Sequence, residues 1–156
     1  MRVSILAVGR SKAGPERLLT DEYRARFDAL GRGMGLAALD IAEIDAKGAG
    51  REAESARLLD RLPQGHMLVA LDERGKTMDS DAFSALLTTA RDDGVPGIAF
   101  AIGGADGHSD AVRSRASRLL SFGKMTWPHM LVRAMLTEQL YRALAIAANH
   151  PYHRGG

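Results

Sequence analysis

Residues able to carry out chemistry are concentrated in the last third of the chain. There Gly103-Gly-Ala-Asp-Gly107 follows an apolar run, and the segment 122–128 combines glycine, proline and the only tryptophan. Glycine lets a ligand approach bare backbone, and a backbone broken by glycine and proline cannot place all its amides and carbonyls in a regular ladder. Such groups can hydrogen-bond a planar heterocycle while Met125 or Trp127 packs beside it.

Both segments also have a simpler interpretation. The glycine loop is equally consistent with a tight strand-to-helix turn, and the second segment with a connection that contains an ordinary core tryptophan. The loop is not the dinucleotide fingerprint, because position 102 is Ile, and it lacks the Lys-Ser/Thr ending of a phosphate loop. Gly9 and Gly14 have the spacing of a phosphate loop, but Pro15 and Glu16 follow them. A kinase or a nucleotide hydrolase is therefore disfavoured.

Ionisable side chains follow in the same third. Glu138 and Arg142 are four residues apart, a spacing that most often marks a solvated helix pair worth about 0.2 to 0.5 kcal/mol. The tail 149–154 then supplies two histidines, a tyrosine and an arginine. His150 and His153 could suggest a metal pair, but the proline between them disrupts helical geometry and no carboxylate is nearby in sequence. We predict no metal site.

Length and composition limit the class of protein. The 156 residues, of which 46% are hydrophobic, predict one domain spanning 1–156. The absence of cysteine excludes a disulfide framework and a thiolate zinc site, and it suits a reducing compartment such as the cytoplasm. The apolar N-terminal run is too short for a signal peptide or a membrane span, so we expect no membrane partner. Residues 124–154 hold four Lys or Arg against one Glu, which suits an anionic ligand such as RNA.

The elements that position these residues alternate between strands and helices. Apolar runs predict strands over 2–9, 36–44, 66–71 and 98–102, with a weak fifth over 119–122. Helical spacing predicts helices over 15–30, 51–62, 80–90, 111–119 and 130–148. The nearly continuous apolar strands indicate a mostly parallel sheet with helices on both faces. A polar turn over 72–76 falls at the carboxyl end of the third strand, where open α/β sheets place ligands. The last helix is apolar around most of its circumference, which predicts a homodimer.

Five segments closely resemble the ribosomal RNA large subunit methyltransferase H family, which are small SPOUT methyltransferases with a trefoil knot. They are Leu71-Asp72, Gly103-Gly-Ala-Asp-Gly107, Met125-Thr-Trp-Pro-His-Met-Leu-Val-Arg133, Glu138-Gln-Leu-Tyr-Arg142 and Asn149-His-Pro-Tyr-His-Arg154. The resemblance extends over the entire chain, and it implies a C-terminal trefoil knot, which pattern alone would not predict because knots are rare. The chain departs from the family at Phe122-Gly123-Lys124, where Leu-Ser and a small residue often stand, and at Trp127, where Leu or Phe is frequent.

The resemblance implies methyl transfer from S-adenosylmethionine to N3 of a pseudouridine in 23S ribosomal RNA, by a homodimer that acts on the ribosome. It implies a cofactor cradle formed by Leu71, Gly103, Gly104, Phe122, Gly123, Lys124, Met125, Thr126, Trp127 and Pro128. For catalysis it points to His129, Glu138 or His153 as proton acceptor, to Arg142 and Arg154 as partners of phosphate or of the developing anion, and to Tyr152 as a stacking group. The competing hypothesis is a non-enzymatic α/β domain that binds a nucleotide or RNA as a regulator.

Overall fold

A computed structural model describes residues 1–46 and 48–154. Within them are five strands, β1 (Arg2–Val8), β2 (Asp40–Ile44), β3 (Met67–Lys76), β4 (Gly97–Ile102) and β5 (Arg118–Leu120). The α-helices are α1 (Pro15–Gly31), α2 (Gly50–Asp60), α3 (Ser80–Asp92), α4 (Asp110–Arg115) and α5 (His129–Ala147). Short 3-10 turns follow α1 at Arg32–Met34 and α5 at Pro151–His153.

The strands form one parallel sheet in the order β2-β1-β4-β3-β5. One face is covered by α1, α3 and α5, with Phe27, Phe83 and Leu140 in its core. The other face is covered by α2 and α4, with Leu58 and Val112. The predicted parallel sheet with helices on both faces is confirmed. All strands of a parallel sheet end at the same edge, so the loops after β1, β3, β4 and β5 lie together there.

The third strand is longer than the sequence predicts. Residues 72–76, predicted as a polar turn, continue β3 as far as Lys76 after a register shift. Leu120 of β5 pairs with both Leu71 and Lys76, so the four residues between them form a bulge. A Cβ on Gly75 would lie 2.5 Å from the carbonyl carbon of Leu119, and only glycine allows the bulge to pass so close to β5.

Helix α5 extends from the sheet edge to the tail, and its predicted limits differ from the observed ones by one residue at each end. It buries nine residues, which include the polar Arg133 and Thr137. Arg133 donates to Glu43 of β2 at 2.7 Å and to the carbonyl of Gly9 at 3.1 Å. Asn149 follows the helix by two residues, and its φ of 55° turns the tail back.

Candidate functional site

A cavity of about 360 Å³ opens at the carboxyl edge of the sheet, between the loops after β3, β4 and β5. Its volume is in the range of small-molecule sites, roughly 300 to 1,000 Å³. Nine of the ten residues predicted to hold a cofactor line it: Leu71, Gly103, Gly104, Phe122, Gly123, Lys124, Met125, Thr126 and Trp127. The tenth, Pro128, is the N-cap residue of α5. His129, one of the predicted catalytic residues, also lines the cavity.

The glycine loop is both a tight turn and a wall of this cavity. The N–H of Gly107 donates to the carbonyl of Gly104 at 3.0 Å, with Gly107 at a φ of 76°. A Cβ on Gly103 would lie 3.0 Å from the carbonyl carbon of Gly107, and one on Gly104 would lie 2.7 Å from Oε2 of Glu54. The interpretation as a tight turn is confirmed, with the close backbone approach at Gly103 favouring glycine there, and ligand binding by the loop stays a prediction.

The segment 122–127 forms the opposite wall. Gly123, at a φ of 116°, donates its N–H to the Ser121 hydroxyl at 3.1 Å, and the same hydroxyl donates to the carbonyl of Gly123. Beyond it, within the described part of the chain, no N–H of residues 124–127 donates to another protein group. Trp127 is 39% exposed, so its interpretation as an ordinary core residue is wrong. The wall thus presents backbone donors and an aromatic ring to a ligand.

An ion pair that the sequence did not indicate fixes the remaining side of the cavity. Asp72, after the cavity-lining Leu71, accepts from Nε of Arg113 at 2.7 Å and from the N–H of Arg74 at 2.9 Å. Burial would raise the pKa of Asp72, but these two partners outweigh it and the pKa is lowered. The pair joins the end of β3 to α4. Positions 72 and 113 are 41 residues apart, so no local spacing could have revealed it.

His108 completes that side as a second unpredicted group. It is 1% exposed, and its Nε2 lies 3.3 Å from the carbonyl of Ala101 at the end of β4. Burial lowers the pKa of His108, so the ring is a neutral packing element at neutral pH. The sequence feature that could have revealed His108 is its position directly after Gly107. A single histidine forms no motif, however, so this position alone did not indicate a role.

The other predicted catalytic residues form a second cluster, at the far end of α5. Oε1 of Glu138 accepts from Nε and Nη2 of Arg142 at 2.9 and 2.7 Å and from the hydroxyl of Tyr152 at 2.9 Å. Nη1 of Arg142 lies 3.3 Å from Nδ1 of His153. The Glu138 and Arg142 side chains are 17% and 15% exposed, so the solvated pair that their spacing suggested is wrong. The reason is the tail, which folds back over them.

Aromatic contacts hold the tail in this position. The ring of Tyr152 lies 4.8 Å from that of Tyr141 and 4.9 Å from the guanidinium of Arg142. Burial, followed by the hydrogen bonds to Tyr23 and Glu138, raises the pKa of Tyr152, which therefore stays a neutral donor. Arg154 is exposed and donates to Oδ1 of Asn149 at 2.8 Å. The cluster is a preformed unit, with Arg154 at its exposed border.

The cavity and the cluster are separate within one chain. Glu138 comes nine positions after His129 in α5, which corresponds to roughly 13 to 14 Å along the helix. A second cavity of about 670 Å³ lies beside this length of α5; Glu138 lines it, and Phe122 and Gly123 line both cavities. Of the six predicted catalytic residues, the structure therefore places His129 at the first cavity and the other five at the cluster.

Across residues 1–46 and 48–154, no three His, Asp or Glu side chains are grouped so that they could hold a metal ion. None of the helices described there is long and apolar enough to span a membrane.

Comparison with known proteins identifies the class to which this fold and cavity belong. A family model described as "Predicted SPOUT methyltransferase" matches residues 1–153, so the chain belongs to the SPOUT methyltransferases, a class that implies the C-terminal trefoil knot. Two relatives are each named "Ribosomal RNA large subunit methyltransferase H". The protein of Hyphomonas neptunium is 53% identical over 154 residues, and that of Rhodopseudomonas palustris strain HaA2 is 54% identical over 159 residues. Both alignments cover 99% of each chain, and the chain belongs to this family.

A solved structure also aligns with this chain, at a lower sequence identity than these relatives. It is the crystal structure of the SpoU methyltransferase AviRb from Streptomyces viridochromogenes in complex with the cofactor AdoMet, with a TM-score of 0.43 and 21% identity. The alignment covers 94% of this chain and 58% of that one.

Proposed function

We propose that this chain transfers a methyl group from S-adenosylmethionine to N3 of a pseudouridine in 23S ribosomal RNA of the large subunit. We further propose that residues 1–156 act as one domain, as a homodimer and in the cytoplasm. The observation that carries the proposal is the 360 Å³ cavity, which gathers nine predicted cofactor residues from three separate loops. Full-length identity of 53% to relatives with that name supports the substrate class.

The cavity suits the adenosine part of the methyl donor. One wall offers backbone N–H groups of 124–127, which can bind the polar edge of a purine. Leu71, Ile102 and Met125 offer apolar surface for its faces. Gly103 and Gly104 contribute the backbone of the loop after β4 to another wall.

The residues of the chain have two tasks in this reaction. S-adenosylmethionine supplies an electrophilic methyl group on a sulfonium sulfur, so the protein must align N3 with it and remove the weakly acidic N3 proton. Of the three candidate bases, His129 lines the cavity itself. Oε1 of Glu138 already accepts three hydrogen bonds, so Arg142 and Tyr152 occupy the oxygen that would have to take the proton.

His153 is also restrained. Arginine can only donate, so the contact of Arg142 with His153 engages the lone pair of Nδ1 and places the proton of the neutral ring on Nε2. We therefore assign proton removal to His129, and we assign to Arg142, Tyr152 and Arg154 the binding of the RNA strand and of the developing anion.

The proposed dimer explains how the separated groups could act together. The second cavity lies beside α5 and is lined largely by apolar side chains, among them Leu19, Leu131 and Met135. Leu18, adjacent on α1, is 71% exposed. A second protomer packed against this surface would bury these side chains, and it could bring the tail cluster of one protomer close to the cavity of the other.

Calorimetric titration of S-adenosylmethionine into the purified chain tests the proposal. We expect binding without RNA, because the cavity is formed within one chain. The competing regulatory domain has no need of a methyl donor, and the absence of binding, with ribosomal RNA still bound, would favour that hypothesis.

A further inference from the structure

Exposed cations are frequent along β5, the strand that forms one side of the sheet. Residues 113–124 contain three arginines and one lysine and no acidic residue. Arg113 is neutralised by Asp72, but Arg115, Arg118 and Lys124 are exposed and form no ion pair within the described chain. A run of this kind on a short edge strand leaves three positive charges facing solvent.

The neighbouring strand adds to the same surface. Arg74 and Lys76 belong to the bulged end of β3, and Lys76 pairs with Leu120 of β5. We call Arg74, Lys76, Arg115, Arg118 and Lys124 together the β5 strip. Glu73, which precedes Arg74, is also exposed. The β5 strip and Glu73 together therefore have a formal charge of 5 − 1 = +4. The whole chain is +2, which leaves 2 − 4 = −2 for the rest, and the positive charge is therefore concentrated on this edge.

The strip begins at the cavity. Arg74 and Lys124 line the cavity mouth, and Leu120 also lines it. Arg118 precedes Leu120 by two residues, about 7 Å along the strand, and Arg115 lies beyond it at the end of α4. A strand of nucleic acid with one base in the cavity would therefore meet Arg118 and then Arg115 if it left along β5.

We propose that the β5 strip binds phosphates of the ribosomal RNA next to the target nucleotide. The inference rests on the proposed function, and it specifies the surface that the RNA occupies outside the cavity. Arginine binds phosphate through two parallel N–H groups, and such contacts supply affinity and orientation without reading sequence. Cations on an edge strand can also serve only to prevent pairing with another sheet, so the test must separate RNA binding from solubility.

The test compares three double variants with the wild-type chain. Arg115→Gln/Arg118→Gln removes two charges from the strip, and Arg115→Lys/Arg118→Lys keeps them. Arg32→Gln/Arg61→Gln is the matched control, because both arginines are exposed and follow the C-terminal ends of α1 and α2. Those helices run against the strands, so the control charges lie at the amino ends of the strands, away from the cavity at the carboxyl ends. The probe is a fluorescent 23S ribosomal RNA hairpin that contains the pseudouridine, titrated by anisotropy at several salt concentrations.

We expect the Gln variant to bind the hairpin about tenfold more weakly at low salt, with a salt slope reduced by about 1.4, since each phosphate contact on a single strand contributes about 0.7. The Lys variant and the control should keep the wild-type slope, and all variants should bind S-adenosylmethionine equally. Wild-type RNA affinity and slope in the Gln variant would overturn the proposal, as would aggregation of that variant with RNA binding retained. A wild-type chain that binds RNA but never methylates it would instead contradict the proposed function.

Discussion

At the scale of single residues, Glu138 organises the tail cluster. One of its oxygens accepts two hydrogen bonds from Arg142 and one from Tyr152, and the other accepts from Gln139 at 3.0 Å. These contacts hold the tail against α5, and residues 139–141 remain part of the helix. The carboxylate thus has a structural task, and the neighbouring cations and hydroxyl are oriented by it.

Glu138→Gln should therefore loosen the tail. The substitution removes the negative charge that faces Arg142 and replaces one acceptor by a donor, so we expect the free energy of unfolding to fall by about 1 to 3 kcal/mol, measured by urea denaturation. Methylation should fall while cofactor affinity stays unchanged. Glu22→Gln is the matched control, since Glu22 and Arg26 have the same spacing and a 2.9 Å contact but are 57% and 43% exposed; its cost should be clearly smaller, because solvent screens an exposed pair. Equal costs for the two variants would contradict this role.

Asp72 provides a pH-dependent prediction. Its pKa is lowered in the folded chain from an ordinary value of 3.8, so its contribution to stability is complete above that value and is lost as the pH falls through the lower folded pKa. The destabilisation caused by Asp72→Asn should consequently be largest near neutral pH and should shrink below about pH 4. Urea unfolding of both proteins across this range measures it. A destabilisation that grows in acid would show that the ion pair with Arg113 is not its cause.

At the scale of elements, α5 and β4 were predictable because their apolar residues are nearly continuous. The limits of β4 differ from the prediction by one residue, and every residue of that strand is buried. The extension of β3 was not predictable, because residues 72–76 are polar and are held in the sheet by β5, some 44 residues later. The segments that form the cavity walls could be predicted from the positions of glycine and proline. The contacts of Arg113, His108 and the tail could not be predicted, because they depend on pairings that only the folded chain creates.

Removal of residues 149–156 should separate cofactor binding from methyl transfer. Within the described tail, which ends at residue 154, none of the residues lines the 360 Å³ cavity, while Tyr152 and His153 contact α5. We expect near-normal affinity for S-adenosylmethionine by calorimetry and methylation reduced at least about a hundredfold, the scale of lost positioning. Tyr152→Phe, which loses only the hydroxyl that binds Glu138, should have a smaller effect. A truncated chain with weakened cofactor affinity would show that the tail instead supports the cavity.

At the scale of the whole molecule, the surface beside α5 predicts a homodimer. Leu18 is 71% exposed and Leu19 is 45% exposed, next to a second cavity that is lined largely by apolar side chains, and a second protomer would remove this surface from water. Sedimentation equilibrium should give about twice the 16.8 kDa of one chain. Leu19→Glu should shift the mass towards one chain, whereas Ala38→Glu, an exposed position after α1, should not. An active wild-type monomer at micromolar concentration would rule out this assembly.

A methyltransferase for ribosomal RNA should place a labelled methyl group on one defined nucleoside. Purified chain would be incubated with isotopically labelled S-adenosylmethionine and with ribosomes that carry the pseudouridine without its methyl group. Nucleosides from the 23S RNA would then be analysed by mass spectrometry. We predict one label per 23S molecule, located on N3 of the pseudouridine, and we predict its loss in His129→Ala. Label on another nucleoside, or no label with cofactor demonstrably bound, would contradict the account.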